Sequence, residues 1–245
     1  MVAALFFLFA FLAEVLGTAI GFGSSTIFLP IALFFVDFKT ALLLVAFLHV
    51  FGNIGRLAFF RKGLDKKILL LFGVPSVLLT ILGALLVNYT PQLTLKFALG
   101  IFLLLFSVIS LVKPDAKFKP SQRNALIGGG LSGFLAGLIG TGGALRGAFL
   151  TAFSLKKGTY IATAAAIALA VDLTRIPIYL GSGFLQPSFY TAIPLLFIIA
   201  LAGSYTGRKL VDKIPQSLFR KIVLLAIAGI SVKFVVEGIR FFLTS

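Results

Sequence analysis

The sequence predicts an all-α polytopic membrane protein built as two inverted-topology repeats, each a broken hairpin followed by three transmembrane helices. Three observations lead there. Of the 245 residues, 60% are hydrophobic and 12% charged, a composition outside the range of water-soluble domains. Apolar runs long enough to cross a bilayer, about 20 residues, recur along the chain, and the basic residues collect in alternate loops between them. Finally, a set of uncommon residues returns at a constant offset of 119.

The spans come first. Apolar segments run at 2–20, 41–60, 67–88, 92–112, 158–180, 188–209 and 217–242. The opening stretch "MVAALFFLFAFLAEVLG" has no Lys or Arg before Lys39, so it lacks the charged n-region of a signal peptide and reads as a retained helix. Two pieces fall outside the pattern: 24–36 is too short for a comfortable crossing, and 123–154 is long but split by Gly140, Gly142 and Gly143.

Loop charge then orients the spans. "RKGLDKK" (61–67), "KPDAKFKPSQR" (113–123), the Lys156–Lys157 pair and the stretch from Arg208 to Lys221 are each net positive, whereas 89–91 and 181–187 are uncharged. By the positive-inside rule the first group is cytoplasmic and the second external. With 113–123 and 156–157 on one side, the segment between them enters and returns as a hairpin; residues 1–36 form its counterpart from outside. Both termini are therefore expected outside. The first repeat is 1–112, a cytoplasmic linker 113–122, and the second repeat 123–245.

The repeat is written in the residues too. Without gaps, Gly21 matches Gly140, Gly23 Gly142, Phe34 Phe153, Thr40 Thr159, Arg56 Arg175 and Pro75 Pro194. Coincidences among Leu, Ala and Phe are cheap, but recurrence of Gly-x-Gly, an arginine and a proline at one offset is the internal symmetry expected of transporter folds. Pro30, Pro75 and Pro194 read as kinks or helix starts. Tyr89, Tyr160, Tyr179 and Tyr190 lie near span ends, as an interfacial aromatic belt would place them.

The glycine breaks carry the chemistry. A helix end inside hydrocarbon exposes N–H groups that need partners. Short helices beginning near Ser24 and near Gly143 point such ends, with the positive pole of their dipoles, into the membrane from opposite sides, which suits an anion. Gly21, Gly23, Gly140, Gly142 and Gly143 form the breaks, and Ser24, Ser25 and Thr141 add hydroxyls for capping or for a ligand. The competing reading is that these glycines serve close helix packing.

Arginines inside a span are expensive and usually functional. Counting along each hairpin, at about 1.5 Å per residue, sets Arg56 and Arg175 level with their own breaks. Their guanidinium forks suit an oxyanion; snorkelling to the headgroups is the alternative. Arg146, in the first turn of the second short helix, opposes the helix dipole unless an anion or carboxylate joins it. Asn53 and Asp172 are repeat partners, each three residues before its arginine. Asp172 pairs with Arg175 or serves as a proton-coupling carboxylate. Glu14, and His49 on the face of Asn53 and Arg56, are the other coupling candidates, against a plain buried hydrogen-bonding role. Lys233 and Glu237 form a mutually satisfied i, i+4 pair.

With "GFGSSTIFLP" and "GTGGALRGAF" each opening a half, the chain resembles the TauE/SafE sulfite-exporter family over nearly its whole length. The resemblance implies a prokaryotic multi-pass transporter of sulfite, organosulfonates or related small oxyanions, usually outward. Ser24-Ser25 stands where further glycines are common in that family, and Phe149 stands where the first half has Pro30.

These readings converge on an anion transporter of the cell (inner) membrane working by alternating access, with the lipid bilayer and a small anionic substrate as partners. An anion channel of the same architecture is the first rival. The net charge of +15 would suggest nucleic acid in a soluble protein, but here it sits in short loops, so no nucleic acid is expected. No enzyme activity, cofactor or metal is expected either: there is one histidine and no cysteine, with no H-E-x-x-H and no phosphate-binding loop, which leaves a lipid-modifying enzyme without a nucleophile. A homodimer is compatible with the chain.

Overall fold

The computed structural model describes residues 2–20, 23–60, 63–114, 118–210 and 216–244. Gly21 and the parts of the basic loops at 61–62, 115–117 and 211–215 lie outside them.

Helix α1 (Val2–Ile20) runs to the first break, and α2 (Ser24–Ala32) starts after Gly23, whose φ of 82° is open to glycine at little steric cost. The third helix, α3 (Phe38–Phe59), begins at Asp37, whose side chain accepts hydrogen bonds from the amides of Lys39 and Thr40. Asp65 caps α4 (Lys66–Leu86) through the Ile68 amide. These two acids are N-caps, worth about 1 kcal/mol each. After Pro91 comes α5 (Gln92–Val112). In the second half, Ser121 caps α6 (Gln122–Ile139), which stops at Gly140 in the left-handed conformation, φ 74°. The short α7 (Gly143–Leu150), the long α8 (Lys157–Gly181), α9 (Ala192–Leu210) and α10 (Gln216–Thr244) complete the chain. No strand occurs among the described residues.

Among the described residues seven helices are long and apolar enough to span a membrane: α1, α3, α4, α5, α8, α9 and α10. These correspond one for one to the seven predicted runs. The remaining helices behave as the breaks require. With 9 and 8 residues, α2 and α7 reach about 12–14 Å, less than half a hydrocarbon core. Helix α6 has 18 residues but five glycines.

The order long, short, long, long, long thus occurs twice. Packing follows the same scheme: α4 lies on α6 and α1 on α9, α3 on α8, α5 on α10, α3 on α9 and α4 on α8. Exchanging the halves, α1 for α6 and so on to α5 for α10, turns α4–α6 into α1–α9 and α3–α9 into α4–α8, and leaves α3–α8 and α5–α10 unchanged. Helices α3 and α8 form the centre, and the buried side chains of α3 include Leu42, Leu43, Leu44 and Leu48, all 0% exposed.

Close approach needs small residues. A Cβ on Gly129, Gly133 or Gly137 of α6 would stand 2.3, 2.0 and 2.3 Å from the carbonyl oxygens of Phe72, Ser76 and Thr80 on α4. The Ser76 and Thr80 hydroxyls donate across the same seam to the Gly129 and Gly133 carbonyls, at 2.8 and 3.0 Å. In hydrocarbon, where burial of apolar surface does not drive helix association, dispersion contact and such hydrogen bonds hold helices together.

The aromatic-belt reading needs correction at two positions. Tyr89 and Tyr190 are exposed, 86% and 55%, but Tyr179 is fully buried and donates to the Gly137 carbonyl at 2.5 Å, while Tyr160 faces an internal cavity. A hydroxyl that finds an orphan carbonyl at a helix end has no need of the headgroup layer. The Lys233–Glu237 pair forms on α10 at 3.7 Å.

Candidate functional site

The two glycine breaks meet in the middle of the molecule. A Cβ on Gly23 would lie 3.6 Å from the Cα of Gly143, and the Thr26 and Thr141 hydroxyls are hydrogen-bonded at 2.8 Å. Beside this junction is a cavity with about 380 Å³ of unfilled space, its mouth included. Its walls come from α1 (Thr18), the starts of α2 and α7 (Gly23, Gly143), α3 and α8. A helix that begins inside the membrane leaves its first amides without intrahelical partners, so both short helices bring unspent donors to this wall.

Charged groups surround the cavity in pairs. Arg56 is buried and each of its nitrogens has a partner: Nη2 donates to Glu14 Oε2 at 2.6 Å, Nη1 to Asn53 Oδ1 at 2.7 Å and Nε to Thr18 Oγ1 at 3.0 Å. The other oxygen of Glu14 accepts from the Ser24 hydroxyl at the start of α2. Asp172 is the second centre. Its Oδ1 receives Arg175 Nε at 2.9 Å and Nη2 at 2.7 Å, and its Oδ2 receives His49 Nδ1 at 2.7 Å. Asn53 Nδ2 stands 3.5 Å from that same oxygen, which links the two centres. Arg175 Nη1 donates at 2.7 Å to the Ala136 carbonyl and so caps the end of α6.

Arg146 differs. It is 4% exposed, it lines the cavity, and its guanidinium makes no hydrogen bond or ion pair with the described residues. With Glu14 balanced by Arg56 and Asp172 by Arg175, the Arg146 charge is left over. Burying such a cation without a counter-charge costs several kcal/mol. The opposite hydrogen-bonding defect sits on another side chain that lines the cavity: His49 Nε2 is buried without a partner among the described residues, 3.1 Å from a Cβ placed on Gly23.

The predicted residues therefore divide. Gly23, Asn53, Arg56, Gly143, Arg146 and His49 line the cavity. Ser24, Glu14 and Asp172 stand one contact behind it, and Arg175 is held by Asp172 and α6. Arg175 lies against its own break, Nη1 being 3.7 Å from a Cβ on Gly140, and Arg56 lines the same cavity as Gly23. Gly140 and Gly142 answer to packing: a Cβ would meet Leu42 at 2.4 Å in the first case and the Ser132 carbonyl at 2.0 Å in the second. Ser25 and Thr141 are buried away from the cavity wall, and Gly21 lies outside the described residues. Sequence reasoning missed Thr18, Tyr160 and Ser204, the last donating to the Gly52 carbonyl at 3.1 Å. Thr18 had a usable signal, since it lies one helical turn after Glu14 and so on the same face.

The sequence profile of sulfite exporters of the TauE/SafE type matches residues 6–234, nearly the whole chain. The chain belongs to the TauE/SafE family. It is also similar to a protein of Methanocaldococcus jannaschii named as a probable membrane transporter, 29% identical over 246 residues that cover 90% of both chains. The resemblance seen in the two glycine-rich stretches is thus a family relationship, and the molecule is a multi-pass membrane transporter of the TauE/SafE family. In this TauE/SafE member the cavity, the half-helix starts and the buried charges belong to a transport protein.

Proposed function

We propose that the protein exports a small sulfur-containing oxyanion, such as sulfite or an organosulfonate, by alternating access, with the anion bound in the cavity where the two half-helices begin. The observation that carries this reading is Arg146: a buried guanidinium with no ion pair or hydrogen bond among the described residues, beside two helix starts that add positive polarisation. An anion in the cavity would remove the uncompensated charge and satisfy the free amides together. Arg56 offers its remaining face, and Arg175, already spent on Asp172 and Ala136, holds α8 and α6 in place behind the site. The pairing scheme that survives exchange of the halves supports an inverted repeat whose parts rock about this point. A membrane potential negative inside favours departure of the anion.

Uptake into proteoliposomes of sulfite, sulfate, thiosulfate, sulfoacetate and taurine, with and without a pH gradient, tests the reading. Saturable sulfite flux is expected, and Arg146→Gln should reduce it tenfold or more, the scale of one charge-assisted hydrogen bond at about 1.5–3 kcal/mol, while gel filtration shows an intact protein. Full flux in that variant removes the site assignment. Ohmic currents without saturation would make the protein a channel.

A further inference from the structure

The unpartnered nitrogen of His49 specifies more than the sign of the guest. Carboxylate oxygens accept only, so His49 Nδ1, 2.7 Å from Asp172 Oδ2, is the protonated nitrogen. In a neutral imidazole the other nitrogen is then an acceptor. That nitrogen, Nε2, is the one buried without a partner among the described residues, next to Gly23 on a side chain that lines the cavity. An unprotonated oxyanion offers it no donor. Two lone pairs facing each other repel, so the bound state requires a proton between them.

We propose that His49 makes this transporter bind its anion together with one proton, shared between His49 Nε2 and a substrate oxygen. The proposal rests on the anion site described above and names its proton stoichiometry. A hydrogen-oxyanion such as hydrogensulfite brings the proton as its own O–H and donates it to Nε2. A sulfonate, which has no O–H, binds only when the imidazole takes a proton from solution and donates from Nε2. In both cases Asp172 keeps Nδ1 protonated, and the Arg175 contacts hold Asp172 in position. The other ionisable groups around the ring are Arg56 on α3, Arg146 on α7 and Tyr160 on α8, with Glu14 of α1 behind Arg56. Helix α2 presents Gly23 and adds none.

The consequence is selectivity by protonation state. At mildly alkaline pH a free imidazole is neutral, so binding of a sulfonate must draw one proton from the buffer, and its affinity falls about tenfold per pH unit, the slope of a one-proton linkage. Calorimetric titration of the purified full-length protein with methanesulfonate, in two buffers of different ionisation enthalpy, counts that proton. Wild-type protein is expected to take up close to one proton per anion. His49→Gln, which keeps polarity but cannot titrate, should bind with no uptake and with an affinity flat in pH. Wild-type binding without proton uptake overturns the proposal even if the variant fails to fold, and so does a His49→Gln protein that retains the tenfold slope. Absence of any anion heat in wild type, or binding unaffected by Arg146→Gln, overturns the anion site itself and the proton assignment with it.

Discussion

Arg56 shows what a buried charge looks like before and after its neighbours are known. From its position alone it is an anion ligand. In the fold its guanidinium is already matched by Glu14, 42 positions earlier, at 2.6 Å. Removing one member of such a pair leaves an uncompensated charge and costs roughly 3–5 kcal/mol, whereas removing both can be nearly neutral. Arg56→Gln and Glu14→Gln should therefore each lower the midpoint of thermal unfolding in detergent, and the double variant should recover most of the loss. A double-variant loss equal to the sum of the two single losses would mean that the pair is not formed. This residue pair separates structural charge from working charge. Arg146, lacking such a counterweight, is the position where uptake rather than folding should respond. The sequence could nominate all three arginines because intramembrane charge is rare; it could not rank them, because rank depends on which carboxylate arrives beside each.

At the scale of elements, the helices follow from run length and from glycine. Every predicted span exists, with ends moved by a few residues where a cap intervenes, as at Asp37, which starts α3 at Phe38 rather than 41. The short helices exist because Gly23 and Gly140 take positive φ, a conformation that side-chain-bearing residues adopt at a cost. What the glycines do is not uniform. The series Gly129, Gly133, Gly137 sits four residues apart on the α4 side of α6 and is a packing device. Gly133→Val places a branched side chain where even a Cβ would be 2.0 Å from the Ser76 carbonyl, so α6 must move off α4. The expected result is a sharp fall in yield of monodisperse protein, larger than for Gly130→Val, where the nearest atom is a flexible Leu79 methyl group. Equal yields would show that this seam is loose. Spacing alone could have marked the series as a small-residue stripe, but not which neighbour it served.

For the whole molecule, the contact at the centre is the joint between halves. Thr26 and Thr141, separated by 115 positions, are hydrogen-bonded at 2.8 Å, and the chain has no cysteine. A Thr26→Cys/Thr141→Cys protein should form a disulfide on mild oxidation. If the halves must part for the anion to pass, oxidised protein stops transporting and reductant restores flux; undiminished flux in the cross-linked protein would mean that this joint stays closed throughout the cycle.

Membership of a membrane fold, the seven spans and the two breaks were determined by the sequence alone, because a bilayer imposes its thickness and its intolerance of bare backbone on any chain, and both leave marks within 20–30 residues. The partners of the buried charges were decided only by the tertiary structure. His49 meets Asp172 across 123 positions, and Arg146 forms no ion pair with a carboxylate among the described residues. No local period carries such information, since electrostatic compensation depends on distances of a few ångströms between helices that only the finished packing brings together.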